Sequence, residues 1–469
     1  MLTGLYGGSL ALLTDLYQLT MAQGYWKSGL ERHEAVFHLY FRKNPYAGSY
    51  ALAAGLGLAA EYLERLRFTE DDLAYLASLP GDGRPLFDPG FLERLRGLRL
   101  TVDLDGVPEG TAVFAPEPLL RVRGGLLECQ LLETALLNIV NFQTLIATKA
   151  ARVASAARGA PVLEFGLRRA QGIDGGVGAS RAAYIGGCSA TSNVLAGKLL
   201  GIPVRGTHAH SWVMAFSDEL EAFSTYAESV PGDCVFLVDT YDTLEGVRHA
   251  IAVGRRLKEQ GRRLAGIRLD SGDLAALSIE ARRLLDGAGF PDAFIAASDD
   301  LDEGRIAALL QKGARIAVWG VGTRLVTGDG QGALGGVYKL SAIRPPGGAW
   351  RDVVKASGDG AKASFPGLLQ VRRSFCEGRP AGDEIFDVRD LPEEAEHGLL
   401  VPVFRGGRRV LPDESLAAAR ERARTGLAAL PSGRYPVALA AGLRERRAAL
   451  LSAAAGAFGG RDGFSRLSV

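Results

Sequence analysis

Cysteine and long apolar runs are both scarce in this chain of 469 residues. The four cysteines, Cys129, Cys188, Cys234 and Cys376, lie far apart and form no CxxC pair. That argues against a disulfide framework or a zinc knuckle, and fits a reducing cytoplasm. The longest uncharged apolar candidate, Thr134 to Thr148, is too short to span a bilayer and contains Asn138, Asn141 and Gln143. The N-terminus, MLTGLYGGSLALLTDLYQLTM, has no cationic start and carries Asp15, so neither export nor membrane insertion is expected. A formal net charge of +1 leaves no global field to attract nucleic acid or an acidic membrane surface. The arginines near the C-terminus lack bulky aromatic interleaving, so they read as a solvated helix face. A Walker A loop is missing too, because the only GK pair, Gly197-Lys198, lacks the earlier glycine and the following Ser/Thr. GVGTRL at 320–325 lacks the third glycine of a dinucleotide fingerprint, which argues against a Rossmann dehydrogenase.

What is present is an ordinary globular balance, 47% hydrophobic and 23% charged, on a chain long enough for two or three domains. Residues up to about 120 read as a mixed lobe. TDLYQLTMAQGYWKSG reads as a short helix ending near Gly29, AVFHLYFRKNP as a strand, and ALAAGLGLAAEYLERL as a helix. Asp105 to Arg123 reads as short strands and turns, followed by a long helix from about Glu128 to Ala156. From residue 160 short apolar runs begin at PVLEFG, PVRGT, CVFLVDT, LAGIRLDSG, AFIAASDD and RIAVWGVGT, the later ones separated by helical segments. That is the pattern of parallel βα units. Polar residues gather at the C-terminal end of each run: Glu164 and Arg168, His210, Asp239 and Asp242, Arg268 to Asp273, Ser298 to Asp300, Gly320 to Thr323. An open sheet concentrates its ligand site at one switch point, whereas a barrel collects it from many strand ends. The expectation is therefore an α/β fold with an irregular α/β barrel. The divisions expected are 1–125 for an N-terminal α/β lobe, 126–350 for the barrel, and 351–469 for a C-terminal region of turns and Ala/Arg/Leu helices packing back on the lobe.

The stretch Gly186 to Trp212 organises the rest. Ser189, Thr191 and Ser192 offer hydroxyls for a helix N-cap, Val194, Leu195 and Leu199 a buried stripe, and Gly201 with Pro203 a helix stop. Val204 then begins a short strand that leads into Gly206-Thr207-His208-Ala209-His210. The HxH pair has the form of a metal-dependent barrel hydrolase, but such a site needs further histidines at other strand ends. His33, His38, His249 and His397 are at none of them. Asp239 and Asp270 are acceptors for a cation, a ribose diol or a histidine NH, while Asp273 is placed to cap the next helix. Arg268 lies two residues before Asp270 and points to the same side of the strand, so the two form a structural ion pair or an anion clamp. Arg168 and Arg169 favour the clamp. Gly320, Gly322 and Thr323 suit a phosphate cradle or a tight strand-to-helix turn.

In this order TDLYQLTM, EFGLRRAQG, GGCSATSNVLAGKLLGIPVRGTHAHSW, LVDTYDT, IRLDSGDL, SDDLDE and GVGTRLVT…LGGVYKL resemble the nicotinate phosphoribosyltransferases. The resemblance covers roughly Leu12 to Phe365, and PSGRYPVAL near the end is a looser match. It implies a type II phosphoribosyltransferase fold and a homodimer with shared active sites. The reaction it implies joins nicotinate to phosphoribosyl pyrophosphate with Mg²⁺, coupled to ATP hydrolysis through a phosphohistidine. By the motif GT-x-AH the phosphorylated residue is His210, oriented by Asp239. Phe165 matches the aromatic that stacks on the pyridine ring, and Tyr17 stacks from the other subunit. Arg168 and Arg268 meet the nicotinate carboxylate and neighbouring phosphates, and Thr207 is a further substrate-binding residue. Asp270 and Asp300 hold the ribose or its metal, and Gly322 and Thr323 the 5′-phosphate. Lys339 and Lys355 are further phosphate candidates. No metal site is made by protein ligands alone; Mg²⁺ travels with pyrophosphate, with Asp270 as a carboxylate for it. The sister family acting on nicotinamide carries an aspartate where Ser192 stands, and a carboxylate there would repel nicotinate. Ser192 therefore favours the acid. One departure is Asp299, where the family usually has Gly or Asn. Other readings are a nicotinamide-using transferase, a metal-dependent hydrolase and a non-catalytic sugar-phosphate sensor.

Overall fold

The computed structural model describes residues 1–230, 232, 234–356 and 363–459. The chain divides into two compact units, Met1–Leu145 together with Ala333 onward, and Ile146–Gly332. Neither boundary falls at the compositional breaks near 125 and 350, for a physical reason. Helix Glu133–Ala156 runs through the first junction without interruption. After the second, strand Gly336–Arg344 pairs antiparallel with Glu34–Phe41, some three hundred residues earlier.

The first unit is built on a seven-stranded sheet. At its centre Glu34–Phe41 lies between Gly336–Arg344 and Pro118–Gly125, antiparallel to both. All but the first residue of Glu34–Phe41 is buried, so both faces of this strand are covered. Phe37 stacks on Tyr338 with ring centroids 4.9 Å apart, a cross-strand aromatic pair that fixes register. Strand Asp103–Gly106 carries the sheet on to Val401–Arg405. The region after residue 350 has its helices, Leu416–Ala429 and Ala441–Gly459. It also has a hairpin, Leu369–Cys376 with Arg379–Asp387, to which Val437–Leu439 adds a parallel strand. The hairpin turns on Glu377 and Gly378, at φ 51° and 75°. Positive φ at both central residues is the turn geometry that matches strand twist.

The second unit is a six-stranded parallel sheet curled into a half-barrel. Its spatial order is Ala190–Thr191, Val162–Glu164, Val318–Val321, Phe294–Ala297, Leu264–Leu269, Cys234–Leu237. Helices such as Thr243–Glu259 and Leu274–Gly287 connect the strands and cover the convex face. There Phe236, Val238, Ile267, Leu269, Ile295, Trp319 and Val321 form one buried core with the helices. Pairing is in register from strand to strand, with Ala296 opposite Arg268 and Glu164 opposite Thr191. The run at Val204 makes only a single parallel bridge to Thr191 and not a strand.

The helix expected from residue 189 begins later. Ala190–Thr191 is the edge strand, and Asn193 is the N-cap, its side chain accepting from the Ala196 amide. Helix Val194–Leu200 ends at Gly201 with φ 68°, as its sequence requires. The stripe expected to be buried is not: Val194 is 72% and Leu195 39% exposed, and only Ala196 of this helix is buried. With seven residues the helix is less than two turns, and it is held by its cap and Gly197 instead of an apolar face. Among the described residues no helix is long and apolar enough to cross a membrane.

Candidate active site

Side chains along each parallel strand alternate between the core and the concave face. Val162, Ile267, Ile295 and Trp319 go to the core, whereas Leu163, Phe165, Val235, Arg268, Ala296 and Gly320 line a cavity of about 410 Å³. Its lining is mostly apolar, with Arg205, Arg268, Thr207 and Ser189 as the polar side chains.

Phe165 follows strand Val162–Glu164 and continues its ladder, donating its amide to the Val321 carbonyl at 2.8 Å. Its ring needs Gly320: a Cβ there would lie 2.8 Å from the ring carbons. The glycines of GVGT thus first serve the aromatic plate. Beneath the loop lies Glu164, 1% exposed. Its carboxylate accepts from the Ser180 hydroxyl at 2.7 Å, the Thr191 hydroxyl at 2.5 Å and the Gly166 amide. Such a buried carboxylate is tolerable only because these donors replace water. They tie the Phe165 loop to the end of the edge strand, where the Ser192 amide donates to the Glu164 carbonyl at 2.9 Å. Ser192 continues the alternation of Ala190, which lines the cavity.

Arg268 is the less exposed of the two arginines that line the cavity. Its Nη1 donates to Thr207 Oγ1 at 2.5 Å, and Nη2 lies 3.8 Å from Asp270 Oδ1. The guanidinium carbon is 6.0 Å from the Phe165 ring centre. Burial lowers the Arg268 pKa from its ordinary value, with Asp270 and Asp239 opposing and Arg168 adding to the fall. Asp270 Oδ1 also accepts from the Ser298 hydroxyl. Asp239, 8% exposed, holds the turn that carries Asp270: its Oδ2 accepts from the Asp270 amide at 2.8 Å and the Ser271 hydroxyl at 2.6 Å. Asp273 caps helix Leu274–Gly287, as expected.

His210 opens helix His210–Met214, half exposed, with Nε2 3.7 Å from Asp270 Oδ2. Its Nδ1 faces Thr240 Oγ1 at 3.1 Å, so the ring nitrogen expected to meet Asp239 meets the next residue instead. His208 is different in kind. It is buried among Phe223, Tyr226 and Phe236. Its Nε2 accepts the Leu237 amide at 3.2 Å, and Nδ1 faces the Ala209 carbonyl at 3.4 Å. Burial brings its pKa down to about 4. With both nitrogens engaged by backbone, His208 is a core residue and the HxH pair is not a metal chelate. Among the described residues no three His, Cys, Asp or Glu side chains converge as a metal set. Asp270 fits instead as a single carboxylate for a cation whose other ligands come from phosphate oxygens.

Past strand Phe294–Ala297 the turn is unusual. Asp299 and Asp300 have φ 101° and 45°, which explains why Gly or Asn suits position 299. Asp299 pairs with Arg305 at 2.7 Å. Asp300 accepts from Arg324 at 2.9 and 3.0 Å, which holds its carboxyl below the usual range. Gly322 and Thr323 begin the short helix Thr323–Val326 beside them. Arg168 is exposed in the turn Leu167–Arg169 after Phe165.

Two family models match the chain. That described as the nicotinate phosphoribosyltransferase (NAPRTase) N-terminal domain covers residues 12–141, and that described as the nicotinate phosphoribosyltransferase (NAPRTase) family covers 161–356. The chain belongs to the nicotinate phosphoribosyltransferase family. A nicotinate phosphoribosyltransferase of Bacillus subtilis is 52% identical over 373 residues, covering 79% of this chain and 74% of the relative. Another, from Mycobacterium tuberculosis, is 44% identical over 425 residues, covering 90% and 88%. The crystal structure of human nicotinic acid phosphoribosyltransferase matches with a TM-score of 0.81 at 33% identity, over 93% of this chain and 99% of that one. The half-barrel is thus that of a type II phosphoribosyltransferase, and the chain is an enzyme of this family.

Within the family's half-barrel, Phe165, Thr207, His210, Asp239, Arg268 and Asp270 come together around the cavity and its mouth. Asp300, Gly322 and Thr323 form a neighbouring turn closed by Arg324. Tyr17, Lys339 and Lys355 belong to the first unit. Tyr17 is 48% exposed on helix Leu16–Ser28, and Lys339 is half-buried, its pKa lowered by burial and by neighbouring Lys355 and Arg42. Three contributors were not legible as such, Glu164, Thr240 and Ser298, while Gly320, expected in a phosphate cradle, makes room for the Phe165 ring. Glu164 and Ser298 stood among the loaded strand ends, but their bonds reach residues 16 to 28 positions away.

Proposed function

We propose that this enzyme joins nicotinate to phosphoribosyl pyrophosphate, giving nicotinate mononucleotide and pyrophosphate, and couples the transfer to ATP through a phosphate on His210. The observation that carries the substrate assignment is Arg268, a cation beside the Phe165 ring in a largely apolar cavity that Arg205 also lines. An aromatic plate with an adjacent guanidinium suits a flat aromatic carboxylate. Arg168, exposed on the next turn, adds positive charge at the mouth. The pyridine nitrogen attacks the anomeric carbon of the ribose as the bond to pyrophosphate breaks, the electron pair leaving with pyrophosphate. The sugar becomes cationic and the leaving group gains charge, so fixed charges and positioning supply the rate. Asp270, held by Ser298 and by the Asp239-anchored turn, faces the cationic sugar. Asp270 would also hold Mg²⁺, which neutralises charge on the departing pyrophosphate.

For the ATP step, His210 Nε2 bonds to the γ-phosphorus while the bond to the ADP oxygen breaks, the pair leaving on ADP. Its half-exposed ring beside Asp270 supports this role. The homodimer with shared sites belongs to the same proposal. Nicotinate mononucleotide formation measured with and without ATP tests the reaction. His210→Ala should abolish acid-labile labelling from ATP and the ATP stimulation. Undiminished labelling in that variant would move the phosphate elsewhere.

A further inference from the structure

We infer that Thr240 is the positioning residue for His210: its hydroxyl accepts the Nδ1–H and leaves Nε2 as the bare nitrogen beside Asp270. The inference rests on the phosphohistidine reading of His210 and adds the device that prepares the ring. His210 stands at the first position of a five-residue helix and is half exposed, so packing alone does not set its ring. A histidine ring rotates about a soft, roughly two-fold torsion, and hydrogen bonds decide which nitrogen faces where. Among the described residues only one of its nitrogens lies at hydrogen-bond distance from a side chain. Nδ1 is 3.1 Å from Thr240 Oγ1, whereas Nε2 is 3.7 Å from Asp270 Oδ2, beyond a hydrogen bond.

The carboxylate next door has one oxygen committed elsewhere. Asp239 Oδ2 takes the Asp270 amide and the Ser271 hydroxyl, and its buried Oδ1 has no hydrogen-bond partner among the described residues. The DT pair after strand Cys234–Leu237 thus divides two tasks: Asp239 places Asp270, and Thr240 places His210. A nucleophilic nitrogen needs a free lone pair, so the proton belongs on the other nitrogen. With the proton on Nδ1, Thr240 is its acceptor and Nε2 is free to attack phosphorus. After transfer the ring is an imidazolium whose Nδ1–H stays on the threonine oxygen or is released to water.

The test uses the full chain with ¹⁵N-labelled histidine, alongside phosphorylation from ATP. Long-range proton–nitrogen spectra report the tautomer directly. The expected result is the Nδ1–H form of His210 in the wild type and in Thr240→Ser, and a mixture in Thr240→Val. The rate of acid-labile phosphate formation should fall about five- to tenfold in Thr240→Val, the worth of one neutral hydrogen bond. Thr240→Ser should restore it to within about twofold, which a purely steric role for the threonine would not do. A wild-type Nε2–H tautomer, or wild-type labelling rate and tautomer in Thr240→Val, overturns the inference. His210→Ala separates the two levels: if it loses the label while Thr240→Val keeps the wild-type rate, Thr240 is wrong and the phosphohistidine stands. If His210→Ala keeps the label, the phosphohistidine reading itself fails.

Discussion

Ser192 is the residue on which the choice between acid and amide turns. Its amide is bonded to the Glu164 carbonyl, one residue before Phe165, so its place relative to the aromatic plate is set by backbone. Nicotinate and nicotinamide differ by one negative charge at neutral pH. With Arg268 in the cavity and a neutral residue at 192, the anion is the favoured partner. A charge-assisted hydrogen bond contributes about 1.5–3 kcal/mol, roughly 10- to 150-fold in binding. Ser192→Asp should lower kcat/KM for nicotinate by at least that factor, through repulsion and competition for the arginine. For nicotinamide the value should fall less or rise slightly, because the new carboxylate accepts its NH₂. An unchanged ratio of the two would show that residue 192 does not face the carboxyl group. The identity of such residues was readable because strand ends in parallel βα units expose chemistry at fixed places. Their partners were not. That Thr240 and not Asp239 meets His210 depends on which way two adjacent side chains leave the end of one strand.

At the scale of elements, His208 shows how a histidine motif divides between core and mouth. It sits against Phe223, Tyr226 and Phe236, and its Nε2 accepts the amide of Leu237, the last residue of strand Cys234–Leu237. Its folded pKa, about 4, lies below the unfolded value near 6.5. Between those values the unfolded chain binds the proton and the folded chain does not, so this residue favours folding above pH 6.5 and loses that contribution as pH falls towards 4. The loss amounts to at most about 3 kcal/mol. Unfolding free energies measured from pH 7 to 4.5 should therefore fall more steeply in the wild type than in His208→Gln, whose amide oxygen can still take the Leu237 NH. Parallel curves would mean that His208 charges freely in the folded protein. The helix Val194–Leu200 carries the opposite lesson. Its apolar residues at 194 and 195 promised a buried face, but an edge strand of two residues and a less-than-two-turn helix leave nothing to cover them. Apolar sequence shows what a helix can bury, not whether a partner exists.

On the scale of the whole molecule, the proposal that Tyr17 completes the site of a second copy gives a direct experiment. Tyr17 is half exposed on a helix of the first unit, and burial and nearby Glu133 raise its pKa, so it is a neutral phenol able to stack at neutral pH. Tyr17→Ala and His210→Ala chains, each inactive alone, should recover part of the activity when mixed under subunit exchange, because a hybrid dimer holds one site with both residues. No recovery in demonstrated heterodimers would place each site within a single chain. By itself the sequence determined the parallel βα units and the polar residues at their strand ends, because burial periodicity and residue chemistry are written locally, and its motifs carried the family resemblance. The division of the chain into Met1–Leu145 with Ala333 onward and Ile146–Gly332 was decided only by tertiary structure. So were the joining of Val401–Arg405 to Asp103–Gly106 and the hydrogen bonds of Glu164, Asp239 and Thr240. Those contacts pair groups from about 16 to 300 positions apart, and a local pattern does not encode which distant strand or hydroxyl will be the partner.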